Sequence, residues 1–548
     1  MSSQDLHIGL INADEFNDIQ NSIIDWEDDS WCPDKDTESV SSLEEDETRE
    51  VDSNSANSED EDYIHFQRRL INVRVEDDII GHPASIHDRV HQLAKYLVLP
   101  VNMYTAKDPT TNFECRAPGP FEVSVKSRGT AAIVEWMCLH GHTVWKGCSQ
   151  PTLKYGMLVG DFVLASSILL SGNNFAKMSL LFRFMNMGMV ERPSFFRIQH
   201  SYCVDSIKDF WNQKRAKLIT TQLHPQGPVG ILGDARMDSP GFCAQYCTYT
   251  AMDSKNIICT INIDKRETQR HAVIMEKEGF VRTVNTLGEE LHVTEMCTDA
   301  HTQISALFSK GDLKDSGIHH SLDIWHGSKN LGKKVLTAGQ QKRCSIIQMW
   351  NKDICNHFWY CCKTAHHYED FFDMWTGLVH HVTGEHAWAL GACHHGPLLE
   401  SREKEWIQQG SVAHQSLTDI ILNARWIKNV HTYLRFRSTA DLESFNNHIL
   451  MYASKRFSFS PTVYAARTLL AGLDYNHHIH RPAKRKRDGS IQYRKLYNKR
   501  SRAWRLHTLK VEKGYSYIPD LQSAILRRRL SATEGMSRIR AKRPDEPR

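Results

Sequence analysis

From Pro118 onward the apolar positions of the chain fall into periods that predict alternating elements. "FEVSV" and "AAIVEW" read as strands. Three apolar-periodic stretches follow, "GDFVLASSILLSG", "NNFAKMSLLFRFMNMGM" and "ERPSFFRIQHSYCVDSIKDFWNQKRAKLI", separated by Gly or Pro, and they read as helices. That layout suits a helix-turn-helix-like unit, or equally a plain helical bundle, because helical spacing mostly reports a core. After Gly230 the texture changes. "GILGD", "AQYCTYTAMD" and "NIICTINID" predict three strands, "HAVIMEKEGFVRTVNTLGEE" a helix and "HVTEMCTDAH" a strand; a second helical stretch and the strand "IHHSLDIWH" follow. Beyond Leu331 the pattern is helical for about a hundred residues, and a last amphipathic segment, "ADLESFNNHILMYASK", precedes a basic tail. Residues 13–62 show no period and too little apolar content to offset ordering entropy, so they are expected to be disordered.

These shifts divide the chain into an acidic tail (1–62), a linker (63–116), an N-terminal α/β and helix-turn-helix-like region (117–222) and the first part of a sheet-containing core (223–335). A His/Cys-rich helical insertion (336–435), a core completion (436–475) and a basic tail (476–548) complete it. Charge sharpens the division. Residues 1–62 hold 21 Asp/Glu against two Lys/Arg, a net of −19, so the remaining chain carries +21 within an overall +2. Residues 481–548 hold 21 Lys/Arg against six Asp/Glu, including Lys484, Arg485, Lys486 and Arg487. Such charge favours phosphate partners and nuclear targeting, or else marks a solvated tail. The most apolar stretch, "MLVGDFVLASSILLSG", is too short to span a bilayer and carries Asp161, so a buried helix is expected and no membrane partner. The N-terminus lacks a secretory pattern, and the 14 Cys are scattered, as suits a reducing compartment.

Three acids stand out by placement. Asp234 follows the apolar run 229–232, Asp299 follows "HVTEMCT", and Glu443 lies on the "ADLESFNNHIL" helix. Each alone reads as a turn or cap residue. If the strands of Asp234 and Asp299 are neighbours, both carboxylates emerge together, and Glu443 reaches them from a helix packed across the sheet. Three gathered carboxylates repel unless cations neutralise them, and hard Mg²⁺ or Mn²⁺ suits an all-oxygen set, two ions about 4 Å apart serving phosphoryl transfer. A further pair, Asp323 and His326, closes the next strand with D-x-x-H spacing.

The set "GDARMDSPGFCAQYCTYTAMD", "CTDAHTQI", "LDIWHGSKNLGKK", "GACHHGPLL", "STADLESFNNHIL" and "AGLDYNHHIH" resembles the DDE transposases of the Kolobok-like group, over roughly residues 117 to 520. The order of three strands, helix, strand, helix, strand also matches a ribonuclease-H-like fold. The expected class is therefore α/β with a mixed sheet: a ribonuclease-H-like core interrupted by a long helical insertion, preceded by a small helical domain and flanked by disordered tails. The resemblance implies that Asp234, Asp299 and Glu443 are the catalytic, Mg²⁺-holding trio. It also implies that Asp323 and His326 form the D-x-x-H motif beside the scissile phosphate. The implied function is metal-dependent cleavage and strand transfer of double-stranded DNA at transposon terminal repeats, by a nuclear protein acting as a homo-oligomer. A domesticated DNA-binding protein that no longer cuts, and a nuclease without strand transfer, are the alternatives. DNA contacts are expected from Arg197 and His200, on a helix opened by Pro193 with Phe196 and Ile198 packing inward, and from the basic tail.

The insertion crowds eight of the 30 His into residues 351–400 with Cys355, Cys361, Cys362 and Cys393. His381, His386, Cys393 and His395, completed by Cys361 or Cys362, are candidate ligands for a structural Zn²⁺, though the spacing fits no compact finger. The family's zinc-dependent N-terminal module, with its C-x-x-C and C-x-x-H pairs, is absent. Cys115, Cys138, His142 and Cys148 read as the remains of a metal site or, more ordinarily, as buried thiols and surface His.

Overall fold

The computed structural model describes residues 102–533 apart from 106, 108–113, 241–242, 390, 396–403 and 499–502. The acidic tail, nearly all of the linker and the end of the basic tail lie outside the described residues. The chain divides into two compact units. Of the described residues, the larger unit holds 169–173 and 197–533, the smaller 102–168 and 174–196.

The larger unit is mixed α/β, built on one five-stranded sheet. Its strands are β1 (Val229–Met237), β2 (Tyr246–Met252), β3 (Ile257–Asp264), β4 (Val293–Thr298) and β5 (His319–Leu322), in the order β3-β2-β1-β4-β5. The β1-β2-β3 meander is antiparallel, whereas β4 runs parallel to both β1 and β5. Parallel neighbours need crossover connections. The helices α1 (Ala272–Gly288) and α2 (Thr302–Lys310) supply them. All seven residues of β2 are buried, as expected of a strand covered on both faces. On one face α1 approaches so closely that a Cβ on Gly279 would lie 2.7 Å from the Tyr249 Cβ.

Among the described residues the insertion after β5 is helical: α3 (Ile324–Gly339), α4 (Ile346–Thr364), α5 (Tyr368–His381) and α6 (Val412–Ile421) are followed by the short helix Ala424–Asn429. They bury Trp350, Phe358 and Trp375 in a core of their own, and the Trp375 indole donates to the Ile421 carbonyl at 2.9 Å. The chain then returns to the sheet as α7 (Ala440–Tyr452) and α8 (Pro461–His478). α8 covers the face opposite α1 through polar contacts. The Tyr464 hydroxyl is 3.0 Å from Thr248 Oγ1, Asn262 donates to Thr468 Oγ1 at 2.9 Å, and the Tyr246 and Tyr464 rings stack at 4.6 Å.

The return is fixed to β4. Glu295, buried in mid-strand, accepts from Arg437 at 2.8 Å and from Arg435 at 3.2 Å, and also from the Ser321 hydroxyl of β5. Burial alone would raise the Glu295 carboxyl; Arg437, Ser321 and Arg435 hold it below its ordinary value instead. Thr439, just before α7, donates its N–H to Asp323 Oδ1 at 3.0 Å, and Ile324 donates to the Arg437 carbonyl.

Three sequence expectations change. β1 continues three residues past Asp234, so this acid lies inside a strand rather than closing it. The core does not end at 475, because α8 runs to His478. Nor is the region beyond it a disordered tail among the described residues: Tyr493–Asn498 and Ala503–Thr508 pair as a hairpin, and α9 (Ile518–Ser531) follows. Leu521 and Ile525, four apart, are fully buried with Arg529, whose guanidinium lies over the Tyr202 ring, and Arg528 pairs with Asp205 and Asp209. A count of charges hides this apolar stripe.

In the smaller unit, Glu122–Arg128, Ala131–Met137 and Thr143–Cys148 form an antiparallel three-stranded sheet in chain order. The predicted helices follow as Val159–Leu170, Phe175–Phe184 and Arg192–Ile198, the third continuing through a wide turn into Val204–Leu218. The division of the chain falls inside the first and third of them. Asp161, the acid in the apolar stretch, accepts from the Thr130 N–H at 2.7 Å, tying its helix to the first β-turn of the sheet.

Candidate functional site

The sheet register brings the acids together. Cys297 of β4 pairs with Leu232 of β1, and both strands run the same way, so two residues on, Asp299 stands level with Asp234. Asp234 in turn pairs with Thr250 of β2, and direct partners share a face; Thr248, two residues away, faces Tyr464 of α8. Asp234 therefore looks toward α7 and α8. Asn446 of α7 donates to Asp234 Oδ2 at 2.7 Å, and Glu443 lies one turn earlier on the same helix.

His326 occupies the middle of this group. Its Nδ1 is 2.8 Å from Asp323 Oδ2 and 3.1 Å from Asp299 Oδ1, and its Nε2 is 3.8 Å from Glu443 Oε1. Asp323 caps α3 by accepting the His326 N–H at 2.8 Å. With Oδ1 also taken by Thr439, this buried carboxylate spends both oxygens on fixing His326 and the start of α7. Asp323 is thereby a positioning residue more than an open ligand.

The cluster is short of positive charge. Asp234 is pushed well above the ordinary aspartate range by burial first, then by the charges of Asp299, Glu276 and Glu443. Glu276, in the second turn of α1, rises to about 7, through burial and then Asp299. Burial would lower His326, but its hydrogen bonds to Asp299 and Asp323 win and carry it up to about 10, so at neutral pH the ring is an imidazolium among carboxylates. Raised proton affinity caused by like charge is what a bound cation relieves, and the donors are mostly hard oxygens. Among the described residues the ligand atoms that fall within 4.8 Å of one another here are those of Asp299, Asp323 and His326, with Glu443 against the far side of the ring.

Sequence reasoning missed three contributors. Glu276 lies in the middle of an amphipathic helix, where an acid is ordinary. Asn446 is adjacent to Glu443's turn in "ESFNNH", a signal that i, i+3 spacing would have offered. Arg236 shares the face of Asp234 two residues on and is buried beside Tyr464; the Lys455 ammonium is pushed down by burial and then by Arg236. The carboxylate of Asp238 acts on both and partly offsets this.

A second group forms in the insertion. His381 ends α5, and the short hairpin pairing Ala387 with Ala392 sets His386 opposite Cys393, whose N–H donates to the His386 carbonyl at 2.9 Å. His381 Nδ1 lies 3.4 Å from Cys393 Sγ and 3.3 Å from His395 Nε2. Ligand atoms of His381, His386, Cys393 and His395 all fall within 4.8 Å of one another. A tetrahedral Zn²⁺ with bonds of about 2.0–2.3 Å has edges of roughly 3.3–3.8 Å, so this donor set fits zinc. Cys361 and Cys362 do not join it. Both are buried in the insertion core on α4, where burial pushes their thiols up, and Cys361 Sγ contacts His357 instead. Their helical neighbours are apolar, which sequence crowding could not show.

The expected DNA contacts are dispersed. Pro193 does open a helix and Ile198 is buried, but Phe195 packs inward while Phe196 is 38% exposed. Arg197 is half-buried and His200 exposed, and the wide turn at Gln199–Cys203 separates them from a regular helical face. Lys484, Arg485, Lys486 and Arg487 are all exposed beside the C-terminal hairpin, which also exposes Tyr493, Tyr497 and Trp504. Among the described residues no helix is long and apolar enough to cross a membrane. No family model, curated protein or solved structure matches the chain.

Proposed function

We propose that the chain is a DDE-type transposase of the Kolobok-like group, with a ribonuclease-H-like core, that cleaves DNA phosphodiesters and transfers strands at transposon ends. The observation that carries this reading is the convergence of Asp299, Asp323 and Glu443, far apart in sequence, on the ring of His326, with Asp234 close enough to feel the charges of Asp299 and Glu443. The strand order β3-β2-β1-β4-β5 with a helix returning across the sheet supports the same reading.

In this mechanism a water or a DNA 3′-hydroxyl attacks phosphorus, a new P–O bond forms and the bond to the leaving 3′-oxygen breaks. Asp234, Asp299 and Glu443 would hold divalent cations of the Mg²⁺ class, which when bound stabilise the attacking and leaving oxygens. Asp323 fixes the His326 ring. The imidazolium of His326 lies where a non-bridging phosphate oxygen gains charge, and a positioned donor there favours the transition state. Arg236 and Lys455 attract a flanking phosphate on the same face, and Asn446 holds Asp234 in its rotamer. The exposed basic and aromatic residues at 484–507 offer sequence-independent attraction and stacking for DNA, while Arg197 and His200 would read the terminal repeat. Zn²⁺ at His381, His386, Cys393 and His395 would rigidify the insertion. Action in the nucleus as a homo-oligomer on paired transposon ends belongs to the same proposal.

The test is cleavage of duplexes carrying the element's terminal repeats with Mg²⁺ or Mn²⁺. Nicked and strand-transferred products that vanish in Asp299→Asn protein support the proposal. Binding without any cutting by wild-type protein turns it into a domesticated DNA-binding protein, and cutting that survives Asp299→Asn removes the trio from the chemistry.

A further inference from the structure

The smaller unit contains a second constellation of soft donors, away from both groups described above in sequence. Ala131–Met137 and Thr143–Cys148 are joined by the five residues Cys138, Leu139, His140, Gly141 and His142. The turn is tight: Cys138 donates its N–H to the His142 carbonyl at 2.9 Å, and Gly141 donates to the Cys138 carbonyl at 2.8 Å. Gly141 has φ +81°, a conformation glycine takes without strain. Cys138, His140 and His142 alternate along this knuckle while Leu139 between them is 78% exposed.

Cys115 meets the knuckle from the other side. It precedes the short strand Ala117–Pro118, which pairs with Met103–Tyr104, and the Tyr104 ring stacks on His142 at 5.8 Å. Cys115 Sγ lies 3.9 Å from Cys138 Sγ and 3.3 Å from His140 Nδ1, and Cys138 Sγ lies 3.5 Å from His142 Nδ1. Ligand atoms of Cys115, Cys138 and His142 are within 4.8 Å of one another; His140 stands outside that group and meets Cys115 alone, an exposed side chain within a rotation of the site. Tetrahedral zinc with Zn–S of about 2.3 Å and Zn–N of about 2.05 Å requires S–S edges near 3.8 Å and S–N edges near 3.5 Å. The three observed separations match those edges. A disulfide would need its sulfurs about 2.05 Å apart and has no use for two flanking imidazoles.

The surroundings agree. Burial tends to raise the Cys138 thiol, but backbone N–H groups of His142 and His140 aimed at the sulfur outweigh it and hold the thiol below its ordinary value. The sheet is thinly cored: Val125, Ala131 and Trp136 are its buried apolar residues, beside a cluster of Cys115, Ala117 and Cys138. Small units of this kind commonly depend on a metal or disulfide staple.

We propose that Cys115, Cys138, His140 and His142 bind one structural Zn²⁺ that ties the knuckle of the three-stranded sheet to the strand at Ala117–Pro118. With His140 turned in as the fourth donor all four positions would be filled by protein, which makes the ion structural rather than catalytic. Cys148, exposed at the far end of the next strand, takes no part. The proposal stands independently of the transposase reading and of zinc in the insertion.

Elemental analysis of the purified full-length chain tests it by difference. Cys138→Ser should carry about one equivalent of zinc less than wild type, and combining it with His386→Ala in the insertion should not mask that loss. If Cys138→Ser protein is insoluble, His140→Asn replaces a solvent-exposed ligand and should release zinc to a chelating dye about tenfold faster or more. Thiol titration in denaturant with chelator should find Cys115 and Cys138 free. Unchanged zinc content in Cys138→Ser, unchanged release from His140→Asn, or a Cys115–Cys138 disulfide would each overturn the proposal.

Discussion

The carboxylate group at the sheet and the His/Cys group in the insertion are assembled in opposite ways. The first draws Asp234, Asp299, His326 and Glu443 from four elements separated by long stretches of chain, and only the register of β1 with β4 and the return of α7 make them neighbours. The second takes His381, His386, Cys393 and His395 from fifteen consecutive residues, 381–395, around one small hairpin. The sheet group keeps unfavourable charge that Asp234 and Glu276 register as raised proton affinity, whereas the insertion group pairs neutral and soft donors. A site held by distant elements can store such repulsion because the whole fold opposes it, and a site held by a hairpin cannot. The first is therefore suited to chemistry, the second to holding structure.

The largest expected effect separates the two groups by activity. Asp234→Asn, Asp299→Asn and Glu443→Gln should each reduce DNA cleavage by at least ~10³-fold while the protein stays folded and binds DNA. Gel-resolved cleavage beside circular dichroism checks this, and a substantial loss of structure in all three would erase the contrast. In the insertion the expectation reverses. Cys393→Ser should lose about one zinc and destabilise the chain by about 3 kcal/mol at ordinary zinc levels, seen as a lower Tm, and any loss of cleavage should follow that unfolding. A Cys393→Ser protein of unchanged Tm and zinc content would return these residues to ordinary packing.

Glu295 joins the two regions, since it binds Arg435 and Arg437 where the insertion re-enters the core. Glu295→Gln should cost about 2 kcal/mol, as charge-assisted hydrogen bonds do, and should lower kcat more than that destabilisation explains, because α7 loses its anchor. Equal denaturation midpoints for wild type and variant would remove the link. The smallest effect concerns acid. Asp474 of α8 is fully buried and ion-paired with His448 at 2.7 Å, His478 at 2.8 Å and Lys513 at 3.1 Å. Burial alone would raise it, but His448 and Lys513 hold it down at about 2, below the unfolded value of 3.8. A depressed carboxyl stabilises the fold above its unfolded pKa. That contribution, about 2 kcal/mol, should fade as pH falls from about 4 to 2, and Asp474→Asn should flatten this part of a stability–pH curve.

The elements themselves were legible because β-strand alternation and helical period survive in "AQYCTYTAMD" and "HAVIMEKEGFVRTVNTLGEE". Asp299, Asp323, His326 and Glu443 stood out because each closes a strand or opens a helix, whereas Asp234 stood out as a strand-closing acid and lies inside its strand instead. What escaped depends on distance in space. Glu276 looks like any solvent-facing acid until α1 is laid over the sheet. Cys115, Cys138 and His142 stood out as a group, but that Cys148 lies apart and His140 lies beside Cys115 follows only from the strand pairing. Cys361 and Cys362 were over-read because crowding in sequence says nothing about which side of a helix a thiol occupies, and the buried stripe of α9 was obscured by the arginines around it.

The separation of Asp234 from Glu443 has a consequence during synthesis. A ribosome releases the chain from its N-terminus, so the sheet through β5 and then the entire insertion emerge before α7 does. Until that helix has left the exit tunnel and docked through Glu295 and Asp323, a nascent chain holds two carboxylates of the trio and lacks the third. A truncated or stalled product would therefore fold much of its structure with the carboxylate group still incomplete, since its last member arrives only with the last fifth of the protein.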